Sequence, residues 1–230
     1  MYVKVCGITR TEEIDLLAAL PVDLIGLWHG VPGGRANLPL TEYRRLAAAA
    51  CATHSLEPVL VTFLTDAKAL CKVIHRSRTR WIQLHGYQTP SLVRAIKQAA
   101  PEEVRIIKAL HIQGTYCLET PLIRSYEKAG VDAFLFDAAT DDGRIGSTGR
   151  SLDGWVVSSL AQQLTRPFFL AGGISSENWR EHARSVHNPS WLGIDVDTNA
   201  RGADGALAPE NIEAIVQAWT ACADHGHHYV

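Results

Sequence analysis

Strand-like and helix-like segments alternate along the whole chain, and this alternation limits the fold more than any other feature. Runs rich in Val, Ile, Leu and Phe fall at Tyr2–Cys6, Asp23–Leu27, Glu57–Thr62, Arg80–Leu84, Arg105–Ala109, Ala133–Phe136, Pro167–Ala171 and Leu192–Val196. Segments of helical period follow them, over Glu12–Leu20, Thr41–Ala52, Asp66–His75, Pro90–Gln98, Cys117–Ala129, Leu152–Gln163, Glu177–Ser185 and Pro209–Ala223. Strands separated by helices pair in parallel, and eight such units in 230 residues approach the ~250 typical of a closed (β/α)8 barrel. An open doubly wound sheet is the less economical alternative. No linker rich in Pro, Gly or Ser interrupts the chain, so the expectation is an α/β, TIM-type barrel forming a single domain over residues 1–230.

The formal net charge of −2 and the lack of Lys/Arg blocks argue against nucleic acid or a membrane surface as the main partner. A small molecule fits better. The five cysteines are scattered and never form a C-x-x-C pair, which favours a reducing compartment. No apolar run approaches the ~20 residues of a membrane span, and the chain enters its first strand without a signal-like region. The expected location is the cytoplasm. Monomer and homodimer both fit the composition.

Active sites of such barrels lie where strands end and loops begin. The polar residues and glycines at those positions are Cys6, Trp28 and His29, Gln83 and His85, Lys108, Asp137, Gly172 and Gly173, Asp195 and Asp197. Cys6 closes the first strand just before Gly7, and Thr9 is placed to cap the next helix. A free cysteine there is either a small buried hydrophobe or, with a lowered pKa, a base. Asp137 ends the apolar run Ala133-Phe134-Leu135-Phe136. Desolvation there is expected to push its pKa upward, as a general acid needs, although a capping role is open to it too.

Two glycine turns, Gly146-Ser147-Thr148-Gly149 and Gly172-Gly173, the latter ahead of Asn178, expose backbone N–H groups suited to phosphate oxygens. Trp155, Trp179, Trp191 and Trp219 read as packing residues. His225, His227 and His228 look like a metal tract but have no carboxylate cluster beside them, so a solvated terminus is expected and no metal site is assigned.

These residues carry a resemblance to the phosphoribosylanthranilate isomerase family. It rests on Lys4-Val5-Cys6-Gly7-Ile8-Thr9, Ile82-Gln83-Leu84-His85-Gly86, Phe134-Leu135-Phe136-Asp137-Ala138, Gly146-Ser147-Thr148-Gly149-Arg150, Ala171-Gly172-Gly173-Ile174 with Asn178, Gly193-Ile194-Asp195-Val196, and Pro209-Glu210. The resemblance implies a cofactor-free Amadori rearrangement of an aminoaldose to an aminoketose, with an anthranilate-like sugar amine as substrate. It places the general base on Cys6, the general acid on Asp137 and an anthranilate-carboxylate clamp on Arg35, and it sets His85 near the substrate. A protonated carboxyl suits opening of the sugar ring, and a thiolate suits removal of the C2 proton. A guanidinium fork suits a carboxylate.

The chain departs from the family in two loops. Arg35 lies in Trp28-His29-Gly30-Val31-Pro32-Gly33-Gly34-Arg35, without the family's aromatic and Ser-Pro surroundings. After the last strand the family's Ser-Ser-Gly phosphate turn and following glutamate are replaced by Asp197-Thr198-Asn199-Ala200-Arg201. An unrelieved carboxylate beside a phosphate costs on the order of several kcal/mol. Asn199 is expected to take glycine's left-handed conformation, and Arg201 either neutralises Asp197 or reaches the phosphate. Two interpretations stay open: a rebuilt turn that still binds phosphate through Gly172, Gly173, Gly149 and Thr198, or a different N-glycosylated aromatic amine or amino acid, with or without phosphate, in a specialised pathway. A non-catalytic metabolite-binding barrel is a third reading, opposed by the presence of both Cys6 and Asp137.

Overall fold

A computed structural model describes residues 1–77, 79–140 and 151–225. Its strands are β1 (Tyr2–Cys6), β2 (Leu24–Trp28), β3 (Glu57–Thr62), β4 (Trp81–Leu84), β5 (Arg105–Gln113), β6 (Tyr116–Cys117), β7 (Ala133–Ala138), β8 (Phe168–Leu170) and β9 (Trp191–Val196). All but β6 pair in parallel in the order β4-β3-β2-β1-β9-β8-β7-β5, and β4 pairs with β5 to close the ring. The eight helices are α1 (Thr11–Ala18), α2 (Leu40–Ala52), α3 (Ala67–Ser77), α4 (Pro90–Ala99), α5 (Ile123–Ala129), α6 (Gly154–Ala161), α7 (Ala183–Val186) and α8 (Pro209–His225). The expected (β/α)8 barrel is therefore the fold.

Strand periodicity sorts side chains into two apolar layers. Val3, Val5, Ile25 and Leu27 point outward against helix residues such as Ile14, Leu17, Leu46 and Trp219. Leu24, Val59, Trp81, Ile107, Leu135 and Phe169 fill the barrel interior. A buried ion pair sits in the barrel interior. Lys4 and Asp195 are register partners across β1 and β9, and Lys4 Nζ donates to Asp195 Oδ2 at 2.7 Å. Burial disfavours the Lys4 ammonium, but Asp195 beside it prevails and raises its pKa above the usual lysine value. Burial pushes the Asp195 carboxyl up, with Lys4 opposing it.

Several local expectations change. Thr9 does not cap α1: Arg10 is the N-cap residue, and Glu13 reaches back to accept from the backbone N–H groups of Thr9 and Arg10 at 2.8 and 3.0 Å. The helix expected from Cys117 starts only at Ile123, because β5 runs on to Gln113, turns through left-handed Gly114 and pairs antiparallel with β6. A short 3-10 turn holding Pro121 intervenes. The helix expected over Glu177–Ser185 is a 3-10 turn followed by the short α7. Trp219 is fully buried, whereas Trp155 is 71% exposed and does not pack in the core. No helix among the described residues is long and apolar enough to cross a membrane.

Removing one partner of a buried pair leaves an uncompensated charge, so Lys4→Met is expected to lower stability by about 3–5 kcal/mol in urea unfolding. Lys4→Met combined with Asp195→Leu should recover much of that loss; an equal loss in both variants would show that packing, not charge, is responsible.

Candidate active site

Cys6 is buried at the end of β1 with Gly26 as its register partner on β2. A Cβ at position 26 would collide with Cys6 Sγ, so the glycine makes the room the thiol occupies. The Trp28 indole N–H donates to Sγ at 3.1 Å. Burial pushes the Cys6 pKa up to about 12; Lys4 opposes the shift, the carboxylates of Asp195 and Asp197 add to it, and the Trp28 bond lowers it. In the ligand-free protein Cys6 is thus a neutral thiol.

Asp137, buried near the end of β7, faces His85 from the loop after β4. His85 Nε2 lies 3.2 Å from Asp137 Oδ2, close but not aligned as a hydrogen bond, and Oδ1 accepts from the Ala138 N–H at 2.9 Å. With the Gln83 amide nitrogen turned to Nδ1 at 2.8 Å, the ring proton of His85 sits on Nε2, towards the carboxylate. Phe63 stacks on the ring at 5.9 Å and fixes its plane.

This arrangement reverses the expected pKa shift of Asp137. Burial does favour the neutral acid, but His85 beside the carboxylate, with help from His111 and the Ala138 N–H, holds the pKa below the usual aspartate value. The upward shift anticipated from the apolar run left out a histidine from the loop after β4.

The rim is cationic with one embedded carboxylate. Arg35 forms an ion pair with Asp197 and lies over the Trp28 ring at 5.5 Å. Arg201 Nε donates to Asp197 Oδ1 at 3.2 Å, and its other nitrogens donate to the carbonyls of Cys6, Gly7 and Gly205 at 3.2, 2.9 and 3.1 Å. Arg201 therefore neutralises Asp197 and ties the last loop to the end of β1. Gly172 and Gly173 both have positive φ, 76° and 66°, a backbone that L side chains rarely adopt.

Asn199 does not take glycine's place in a left-handed turn. It lies in a 3-10 turn, Thr198–Ala200, and its amide donates to the carbonyls of Gly173 and Ile174 at 3.1 and 2.8 Å, joining the loops after β8 and β9. Thr198 is exposed at the start of that turn. Gly149 and the rest of Gly146-Ser147-Thr148-Gly149-Arg150 lie outside the described residues.

Other strand-end residues turn away from the mouth. Lys108 points into the helix layer, bonded to the Gly86 carbonyl at 2.9 Å and set over the Tyr126 ring. His29 bonds the Leu38 carbonyl through Nδ1 at 2.8 Å and stacks on Tyr43. Sequence reasoning missed Gly26, His111 and Glu119. Continued strand alternation through Ile112 and Gln113 was the available signal for His111; a lone glycine inside a strand gave only a weak one for Gly26.

A thiol and a carboxyl thus stand on separate strand ends of a (β/α)8 barrel with an arginine pair at the rim, groups whose chemistry is to take up and release protons and to hold anions. Comparison with known proteins narrows the class. A profile of the N-(5'-phosphoribosyl)anthranilate (PRA) isomerase family matches residues 3–218, and the chain belongs to that family. It is 30% identical over 208 residues to N-(5'-phosphoribosyl)anthranilate isomerase 2 of Methanosarcina mazei, covering 89% of this chain and 88% of the relative. The crystal structure of phosphoribosyl anthranilate isomerase from Thermus thermophilus superposes with a TM-score of 0.74 at 24% identity, covering 96% and 99% of the two chains. A phosphoribosyl anthranilate isomerase solved in complex with reduced 1-(o-carboxyphenylamino)-1-deoxyribulose 5-phosphate gives a TM-score of 0.71 at 20% identity over 96% and 99%.

A buried thiol with a raised pKa reacts slowly with alkylating agents. Iodoacetamide at pH 7.5 is expected to modify exposed Cys51 well before Cys6, followed by peptide mass spectrometry. Preferential labelling of Cys6 would show a thiolate there.

Proposed function

We propose that this chain converts N-(5'-phosphoribosyl)anthranilate to the 1-deoxyribulose aminoketose, as a cytoplasmic, single-domain enzyme with Cys6 as base and Asp137, supported by His85, as acid. The observation carrying this reading is the family match combined with a thiol and a histidine-held carboxyl facing the barrel mouth. Asp137 gives a proton to the furanose ring oxygen, the C1–O bond breaks and an iminium cation remains. Cys6 takes the proton from C2, and the resulting enolamine becomes the ketone when solvent protonates C1 and takes up the proton of the C2 hydroxyl.

Ligand-free protonation is the reverse of what these steps need, since Cys6 is neutral and the Asp137 pKa is low. Substrate reverses it: anionic groups brought beside Asp137 favour its neutral form, and the iminium cation favours the Cys6 thiolate. Arg35 exchanges Asp197 for the anthranilate carboxylate, leaving Asp197 with Arg201. Because Arg201 stays paired with Asp197 after that exchange, the carboxylate is compatible with a phosphate held near Gly172, Gly173 and Thr198.

Purified protein is expected to consume freshly generated phosphoribosylanthranilate, followed as loss of fluorescence, and Cys6→Ala or Asp137→Ala should each lower kcat by at least a thousandfold while the fold persists. Near-normal turnover by either variant would remove its residue from the mechanism. Asp197→Asn frees Arg35 and should lower KM severalfold; a higher KM would mean that Asp197 helps substrate binding instead.

A further inference from the structure

Every side-chain donor of Arg201, in the loop after β9, is already used. Its side chain is largely buried, and a guanidinium has five N–H groups in one plane. Nε donates to Asp197 Oδ1 at 3.2 Å. Nη1 donates to the Gly205 carbonyl at 3.1 Å and to Glu13 Oε1 at 3.4 Å, and Nη2 to the carbonyls of Cys6 and Gly7 at 3.2 and 2.9 Å. Five acceptors among the described residues match the five donors, which leaves none for a phosphate.

The groups that meet at this guanidinium are themselves fixed. Glu13 stands on α1, where its Oε2 accepts from the backbone N–H groups of Thr9 and Arg10. The Arg201 carbonyl accepts from Asn211 Nδ2 at 3.2 Å, which anchors the arginine to α8. The turn after Cys6 is bonded to β2 from its other side: the N–H groups of Gly7 and Ile8 both donate to the Gly26 carbonyl, at 3.0 and 3.1 Å. Gly7 has φ 75°, and a Cβ there would meet polar atoms of Arg35, Asp197 and Arg201 within 3.4 Å. Glycine at this position therefore admits the guanidinium to the turn.

The carbonyl carbon of Cys6 is bonded to the Cα that carries Cβ and Sγ. Holding its oxygen, and that of Gly7, sets the direction in which the thiol leaves the strand, while the Trp28 indole acts on Sγ itself. Placement of this kind matters to a base, because a shift of about 1 Å in a reacting group costs on the order of a hundredfold in rate.

We infer that Arg201 is a positioning residue for the base: it clamps the Cys6–Gly7 turn so that the thiol stands at C2 of the sugar, and it takes no part in holding phosphate. This role rests on the reading of Cys6 as the base of the isomerisation. Lysine cannot take it over, because three N–H groups on one atom do not span the end of β1, α1 and the last loop as a planar fork does.

The test is the kinetics of Arg201→Lys, which keeps a positive charge beside Asp197, on phosphoribosylanthranilate carrying hydrogen or deuterium at C2 of the ribose. The variant is expected to lower kcat at least tenfold with KM changed less than threefold. Its deuterium isotope effect on kcat should be no smaller than that of the wild type, since the slowed step is removal of the C2 proton. A kcat within twofold of wild type in the folded variant overturns the role. So does a raised KM with kcat unchanged, which would make Arg201 a phosphate ligand, and so does a slowed variant with a smaller isotope effect, which would put the loss at another step. ¹⁵N-arginine NMR of the wild-type protein decides even where the variant does not fold. The Nη groups of Arg201, identified by their contacts to Gly7, should give separate N–H signals, and signals averaged by free rotation overturn the clamp. Absence of turnover by the wild-type protein overturns the isomerase reading and the role built on it, whereas turnover with averaged Arg201 signals overturns the clamp alone.

Discussion

The Lys4–Asp195 pair joins fold to chemistry. It spans the seam between the first and last strands, so the pair that needs barrel closure to be neutralised also lies directly beneath Cys6. Lys4 is the main group opposing the burial that raises the thiol pKa. Cys6 is therefore buried enough to be inert without substrate, yet close enough to a fixed ammonium for its thiolate to be reachable. Glycine at position 26 completes this compromise by allowing the thiol into the space between β1 and β2.

The acid side follows the same logic with opposite sign. Asp137 is buried, but a histidine from the loop after β4, two strands along the ring, stabilises its charge. At the rim Arg35 is already paired with a carboxylate of the protein itself. The site's own groups thus pair their charges with one another, and a ligand with its own anionic and cationic centres would replace these partners one by one.

The barrel was legible because each βα unit states its period locally; β1 and β3 begin and end where their β-branched runs do. Cys6, Asp137 and Arg35 were legible as strand-end and loop residues, and they do gather at one mouth. What escaped was set by partners distant in sequence. The direction of the Asp137 shift depends on His85, and the pairing of Arg35 depends on Asp197, 162 residues away. Reading a helix from Cys117 hid the hairpin, and with it the pairing of His111 and Glu119. Asn199 looked like a glycine substitute, but its side-chain amide, not its backbone, makes the connection.

The claim on which this account turns is that ligand binding reverses the protonation of the acid. Carboxyl ¹³C NMR of aspartate-labelled protein at pH 6.5, with Asp137 assigned by its loss in Asp137→Asn, measures this directly in the free state and with reduced 1-(o-carboxyphenylamino)-1-deoxyribulose 5-phosphate bound. The account predicts an ionised Asp137 in the free protein and a protonated one in the complex. An ionised Asp137 in both states would contradict it.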